Sequence, residues 1–342
     1  MAQDTNTYDV FDLNEKRETI ANVMEMISPD ETPFRSWLPK EKLDGTHPEW
    51  LTDELELPNA DNKFVQGDEY DFDAISQAAK VGTYTQISRK TFKVAETVES
   101  QAKVGDRSTY NRTMVKKAKE LKIDQEVILL GNQASSPGSG SVPATTAGLR
   151  AWIATNDLMG SGGSSGGYNV STGVVDAAVN GTQRTFTKDL LDQAIQAAYN
   201  NGGAPTQVMM ANYPKTVFSK FMSDANVIAQ RRMAKDSDGG GQRIIAAADE
   251  YQSDFGLVSV LPNRQMTRAS LRGGNPNISR NIFLLQKDKL ALGTLRPIQE
   301  DNDVAKTGDA LPGVIKTEYA LIVKHEGALA CIADVYGLTA ST

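Results

Sequence analysis

Apolar positions fall on one helical face in several stretches of the chain. Over residues 12–27, DLNEKRETIANVMEMI, the face is Leu13, Ile20, Val23, Met24 and Ile27. Asp12 and Glu15 have capping-box spacing, and Ser28-Pro29 ends the pattern. A longer helix is predicted over 106–131, with Met114, Ala118, Leu121, Gln125 and Ile128 on one face and Val115 and Leu129 beside it. Lys116, Lys117, Lys119, Glu120, Lys122 and Glu126 take the other faces, with i,i+4 pairs at Lys116/Glu120 and Lys122/Glu126. Gly131 is the expected stop, and such a helix is a rod of roughly 39 Å. Thr187 caps a further helix, KDLLDQAIQAAYN, with Leu190, Leu191, Ala194, Ile195 and Ala198 on one side. Another, PKTVFSKFM, opens at Pro214.

Strand character has a different distribution. Residues 81–94, VGTYTQISRKTFKV, are rich in β-branched and aromatic residues, yet the sequence on both sides is mostly polar. A strand pair needs a third strand or a helix to be stable in water, so this arm must lean on something remote. TQVMMAN reads as a buried strand from its continuous apolar run, and GLRAWIATN (148–156) as a short strand or turn of strand. Residues 244–266 read as a hairpin around Ser253-Asp254-Phe255-Gly256. NIFLLQKDKLALGTL reads as one strand region, and IKTEYALIVKHEGALACIADVYGL carries strand character to its end. GSGGSSGG (160–167) and DSDGGGQR are flexible loops. Near the start, SPDETPFRSWLPK offers Phe34, Trp37 and Leu38 to an apolar surface outside its own segment. The expected class is mixed α/β (α+β), with no βαβ rhythm and no internal repeat.

The composition is that of an ordinary soluble protein, with 36 basic and 43 acidic residues and a net charge of −7. That balance argues against a dedicated nucleic-acid binder. No apolar run reaches the roughly 18 residues of a membrane helix, and the first residues carry no secretory signal. Catalytic signatures are sparse. Gly162-Gly163-Ser164-Ser165-Gly166 matches a nucleophile elbow but lies in a Gly/Ser tract without a flanking strand and helix. His47 and His325 are the two histidines and Cys331 the one cysteine, which reads as a small buried hydrophobe. The acidic clusters DEYDFD (68–73) and DND (301–303) read as solvated faces, and Trp37, Trp50 and Trp152 as packing anchors. No catalytic, cofactor-binding or metal-binding residue is assigned. What stands out is extended segments with apolar anchors, which must bury themselves on something; the simplest such surface is another copy of the chain.

Six segments resemble the major capsid (major head) proteins of tailed bacteriophages, whose fold is shared with the herpesvirus capsid floor. They are ISPDETPFRSW (27–37), EWLTDEL (49–55), TYTQISRKTFKV (83–94), GLRAWIATN (148–156), YQSDFGLVSVLPNRQM (251–266) and VAKTGDALPGVIKTEYALIVKHEGALACIADV (304–335). The resemblance implies an N-terminal arm (1–48), an extended loop and its base (49–100), a peripheral domain with the long spine helix (101–155), an axial domain (156–295) and a return to the peripheral domain (296–342). It implies that 81–94 is one limb of the extended loop and lies across a neighbouring subunit, and that DSDGGGQR approaches the capsomer axis. The implied function is self-assembly into pentamers and hexamers of an icosahedral head enclosing double-stranded DNA, without catalysis or cofactor. Separate scaffolding, portal and cement proteins are the implied partners. DNA would lie on the inner face without sequence-specific binding, and no membrane is involved. The implied location is the virion, after synthesis in the host bacterial cytoplasm. Some relatives crosslink a lysine to an asparagine; Lys80, Lys90 and Lys93 lie in the arm, but no asparagine partner is identified. The alternatives are a tail or adhesion structural protein of the same virion, and a carboxylate-dependent soluble enzyme.

Overall fold

Residues 28–70, 72, 74–75, 77–101, 108–221, 249–272, 277–301, 303–306 and 308–340 are described by a computed structural model of the chain. The helix predicted over 12–27 and the loop DSDGGGQR lie outside the described residues. The chain runs through helix α1 (Pro33–Trp37), strands β1 (Lys40–Lys42), β2 (Glu49–Thr52), β3 (Ala79–Gly82) and β4 (Gln86–Ala95), and helices α2 (Glu96–Ser100), α3 (Thr109–Leu129) and α4 (Leu149–Trp152). Strands β5 (Asp157–Leu158), β6 (Gly167–Asn169) and β7 (Val174–Asp176) lead to helix α5 (Lys188–Asn200). Next come β8 (Gln207–Met210), α6 (Asn212–Phe221), β9 (Glu250–Ser253), β10 (Gly256–Pro262) and α7 (Arg264–Leu271). The chain closes with β11 (Ile282–Leu285), β12 (Leu290–Glu300), β13 (Ala310–Val323) and β14 (Ala330–Ile332).

Two sheets organise these elements: a four-stranded sheet in the order β1-β12-β13-β4 and a six-stranded sheet in the order β5-β14-β11-β8-β10-β9. The central strands of the six-stranded sheet are covered on both faces, which is why they read as continuous apolar runs. Val208, Met210, Ile282, Leu284, Ala330 and Ile332 face a core with Leu191, Ile195 and Phe218 of α5 and α6. The alternate residues Met209, Phe283, Leu285 and Cys331 face a second core. That second core also holds Leu129 of α3 and Leu290, Leu292, Tyr319, Leu321 and Val323 of the four-stranded sheet, so the two sheets share buried side chains.

Strand β4 answers where residues 81–94 lean. It pairs with β13 of its own chain over ten registered positions, from Ala310↔Ala95 to Tyr319↔Gln86. Its inward residues meet α3: Phe92 packs on Tyr110 with ring centroids 5.2 Å apart, and Lys90 reaches Asp124 at 2.5 Å. Gly313 lies opposite Phe92; a Cβ there would sit 2.3 Å from the ring, so any other residue at this strand position would require the ring to shift. Residues 86–94 are therefore part of the scaffold and do not project.

Other expectations are corrected in detail. GLRAWIATN forms a helical turn, α4, whose four residues are all buried; a short apolar run carries no period to tell helix from strand. NIFLLQKDKLALGTL splits at Lys287–Lys289 into β11 and β12, which belong to different sheets. The boundary expected at 295/296 thus falls inside β12, and β14, beyond it, joins the six-stranded sheet. Helix α6 begins at Asn212, two residues before Pro214. Helix α7 was not expected, although its N-cap signal was present: Asn263 accepts from Gln265 N. Thr187 caps α5 as expected, accepting from Leu190 N. On α3, Lys117 pairs with Glu120 at 2.7 Å, while Glu126, expected on a polar face, is fully buried.

Glu126 performs a structural task. Helix α1 starts with Pro33, which has no N–H, and its N-cap Thr32 makes no side-chain cap. The orphan donors of Phe34 and Arg35 instead meet the two carboxylate oxygens of Glu126, at 2.8 and 2.7 Å. Asn263 Nδ2 donates to the same carboxylate at 2.6 Å. Burial raises the carboxyl pKa, and the Arg35 and Phe34 amides oppose it. Replacing Glu126 by Leu orphans three buried donors, so we expect the subunit to lose about 3 kcal/mol in urea unfolding; Glu126→Gln, keeping one acceptor, should lose roughly 1 kcal/mol.

The side chain of Asp157, on edge strand β5 of the six-stranded sheet, is buried against Arg150. Burial pushes its carboxyl up to about 6 from 3.8, against the pull of Arg150. Between about pH 4 and 6 the native state therefore holds a proton that the unfolded chain has released. Unfolding free energy from this group falls as pH rises through that window and is flat above it, by on the order of 3 kcal/mol in total. The difference between wild type and Asp157→Asn across pH 4–7 isolates the effect from carboxylates such as Asp301, whose pKa Lys316 lowers and whose contribution has the opposite slope.

Candidate assembly arm

Between β2 and β3 the chain leaves the body. The base is a short antiparallel ladder, from Glu49↔Gly82 to Thr52↔Ala79. It continues inward through Thr83 N to Pro48 O at 3.1 Å and Thr85 N to Thr46 O at 2.9 Å. Two contacts fasten it to the scaffold. Trp50 packs on Trp152 with ring centroids 5.7 Å apart and also covers Ala291, Ala320 and Ile322 on the outer face of the four-stranded sheet. Thr85 Oγ1 donates to the buried Glu318 at 2.8 Å, and Glu318 is held from β12 by Arg296 at 2.6 Å. At the base itself, Lys80 reaches Glu49 at 2.6 Å and its hydrogen bond holds that carboxyl below the ordinary range.

Beyond the base, residues 53–78 carry large apolar side chains into solvent. Leu55 is 98% exposed, Phe64 81%, Tyr70 91% and Ile75 96%; Leu57, Val65 and Phe72 are similar. Exposed apolar residues scattered singly are normal, but this many on one projecting segment mark an interaction surface. Each would gain roughly 1.5–3 kcal/mol on full burial. The segment also carries eight carboxylates and one lysine, which leaves 35 residues of each sign in the rest of the chain. The net charge of −7 is therefore concentrated on the arm.

The projecting residues 53–78 fall within the span 49–100 expected for the extended loop and its base, while 81–94, expected as one limb of it, lies in the base and the four-stranded sheet. The missed signal was the interleaving of acidic and apolar residues in DELELP and DEYDFD: a segment with acids at every other position cannot enter its own core.

The residues weighed for chemistry are dispersed. Ser164 bridges Val179 in an irregular loop, not at a strand–helix turn. His47 stacks on Tyr84 at 4.2 Å and His325 contacts Asn201 O at 3.0 Å. Cys331 is fully buried, and burial pushes its thiol pKa up. Asp301 pairs with Lys316 at 2.5 Å, while Asp71 and Asp73 lie outside the described residues. Among the described residues no three His, Cys, Asp or Glu side chains converge as a metal site, and no helix is long and apolar enough to cross a membrane.

A long helix backed by a sheet, a second sheet sharing its core and a projecting arm define the mixed α/β fold of phage capsid proteins. The chain superposes on a protein of Mycobacterium phage Bobi with a TM-score of 0.58 at 11% identity, covering 94% of this chain and 96% of that one. It superposes equally on a chain from the capsid of the native GTA particle (TM-score 0.58, 11% identity, 96% and 98% covered). The cyanophage Pam1 capsid gives 0.56 at 12% identity, with 98% and 99% covered. The SU10 major capsid protein family matches residues 3–336, and the chain belongs to that family. The major capsid protein of Escherichia phage Phieco32 is 34% identical over 124 residues, a match that spans 36% of this chain and 35% of that protein.

The base geometry predicts that Trp50→Ala unpins the arm. Amide exchange at 49–52 and 79–82 should rise about tenfold or more, since a half-buried aromatic anchor is worth at least ~1.4 kcal/mol, while the six-stranded sheet keeps its protection.

Proposed function

We propose that the chain is the shell subunit of a tailed-phage head, and that copies hold one another by burying residues 53–78 on neighbours. The observation that carries this reading is the row of exposed apolar side chains from Leu55 to Ile75 on a rigidly based arm. Membership of the SU10 major capsid protein family supports it. Contacts repeated around pentamers and hexamers make a closed shell multivalent, so each can be weak. In this reading residues 1–48 are an N-terminal arm and 49–82 the extended loop with its base. The four-stranded sheet and α3 form the peripheral domain, and the six-stranded sheet with α5 and α6 the axial domain. The shell encloses double-stranded DNA, with scaffolding, portal and cement proteins as separate partners, and the subunit has no catalytic role. Synthesis takes place in the host cytoplasm and the final location is the virion.

The test is to shorten the arm. Thr52 and Ala79 face each other in the base ladder, so a short Gly/Ser turn can replace 55–77 without disturbing it. The shortened chain should unfold at the same urea concentration as wild type, because the deleted side chains touch little of the body. Sedimentation and negative-stain electron microscopy should show rings or shells for wild type and monomers for the variant. Shells from the shortened chain would refute the arm's role.

A further inference from the structure

A second set of buried charges lies apart from both the arm and the Glu126 junction. It sits where edge strand β5 pairs with β14, with Asp157 opposite Cys331 in the ladder. Arg150 of α4 sends Nη1 to Asp157 Oδ2, and both side chains are fully buried. Arg184 donates through Nη2 to Leu158 O at 2.6 Å, which sets its guanidinium beside β5. Asp334, just past β14, completes the set; its Oδ2 accepts from Gly160 N at 3.0 Å and Gly181 N at 2.9 Å. The Asp157 carboxyl feels the charges of Arg150, Asp334 and Arg184, while burial pushes the Cys331 thiol pKa up and keeps that group neutral. Four polar atoms here are buried without a hydrogen-bond partner among the described residues: Arg150 Nε and Nη2, Arg184 Nε and Asp157 Oδ1. Such atoms are costly to leave unmet, so they mark where a small polar species is held. Nε and Nη2 are the two parallel N–H groups on one edge of the guanidinium, the fork that grips an anion.

What these atoms complement depends on one proton. With Asp157 ionised, three of them donate and one accepts, the two guanidinium charges balance the two carboxylates, and the set suits water. Once protonated, Asp157 still accepts from Arg150 through Oδ2 and turns Oδ1 into an O–H donor. All four atoms then donate, and one positive charge is left over. The Asp157 carboxyl, pushed up to about 6 by burial, takes up that proton in the mildly acidic range. We infer that the cluster of Arg150, Arg184 and Asp157 is a binding site for a small monovalent anion of the halide class, taken up together with a proton on Asp157 Oδ1. The anion restores neutrality and gives the four donors an acceptor. Full burial of Arg150 and Asp157 limits the site to small ions, and the half-buried Arg184 is its side toward solvent. The site belongs to the body of the subunit, so it stands whether or not the arm drives assembly.

The test compares the full-length chain in about 100 mM bromide and in gluconate of equal ionic strength, gluconate being too large for the site. In urea unfolding at about pH 5 the folded-to-unfolded ratio should be roughly tenfold higher in bromide. At about pH 7.5 bromide should give no gain, because the site loses its proton and its anion together as pH rises through the Asp157 pKa. Asp157→Asn puts an amide N–H donor in place of the carboxyl O–H, so its bromide gain should persist at both pH values. Arg184→Met removes a donor and the surplus charge and should abolish the gain. A measurement on wild type alone stands beside these variants. Calorimetric titration with bromide at pH 6, in two buffers of different ionisation enthalpy, should count about half a proton taken up per ion, since Asp157 is half protonated there before the ion arrives. No gain at pH 5, a gain of equal size at both pH values in wild type, a gain that survives Arg184→Met, or binding without proton uptake would each overturn the inference.

Discussion

The arrangement of the molecule turns on one buried carboxylate. Glu126 lies near the C-terminal end of the spine helix and accepts from Phe34 N, Arg35 N and Asn263 Nδ2, groups 92, 91 and 137 residues away in sequence. Its neighbour Gln125 extends the junction to the sheet, accepting from Arg35 Nε at 2.5 Å and donating to Thr317 at 3.4 Å. The N-terminal segment, the spine, helix α7 and the central strand β13 are thus joined at one turn of helix. A carboxylate is suited to this place because it offers only acceptors, and the segments arriving there offer only donors. Hydrogen bonds to a charged group are also stronger than neutral ones, which offsets part of the cost of burying the charge.

From that junction the body is rigid outward to the arm. Strand β13 is paired with β4 over 310–319 and with β12 over 315–323, and its Glu318 holds both Arg296 and Thr85. Trp50 then seals the outer face of the same sheet. The arm leaves from a base fixed by hydrogen bonds and by packing, and beyond the base its side chains have no place in the fold that carries them. A stable scaffold and an unsatisfied surface on one chain fit the proposed assembly, in which the arm's apolar area would leave water on meeting a neighbour. The acidic charge on the arm keeps that area soluble in the meantime.

The likeness to capsid chains at 11–12% identity with nearly complete coverage shows how little of this fold depends on particular side chains. What recurs is the placement of burial: strands sandwiched between two cores, and a long helix with one buried face. Many apolar side chains of similar volume satisfy those positions.

Local patterns in the sequence determined a good part of the protein. Helix α5 and its Thr187 cap, the spine helix over most of its length, the buried strand at 207–210 and the hairpin at 250–262 follow from short-range periodicity and capping, where neighbours in sequence supply the deciding forces. The order of six segments was enough to suggest the capsid family. Tertiary structure decided what those patterns could not. It put Glu126 inside, because the donors that meet it come from segments remote in sequence. It turned GLRAWIATN into a buried helical turn, sent β11 and β12 to different sheets across a three-residue turn, and gave 86–95 a partner more than 200 residues away. It placed 86–94 in the scaffold and left 53–78 of the expected extended loop projecting for the same reason: whether a segment is buried depends on what else reaches its side of the molecule, and sequence spacing carries no record of that.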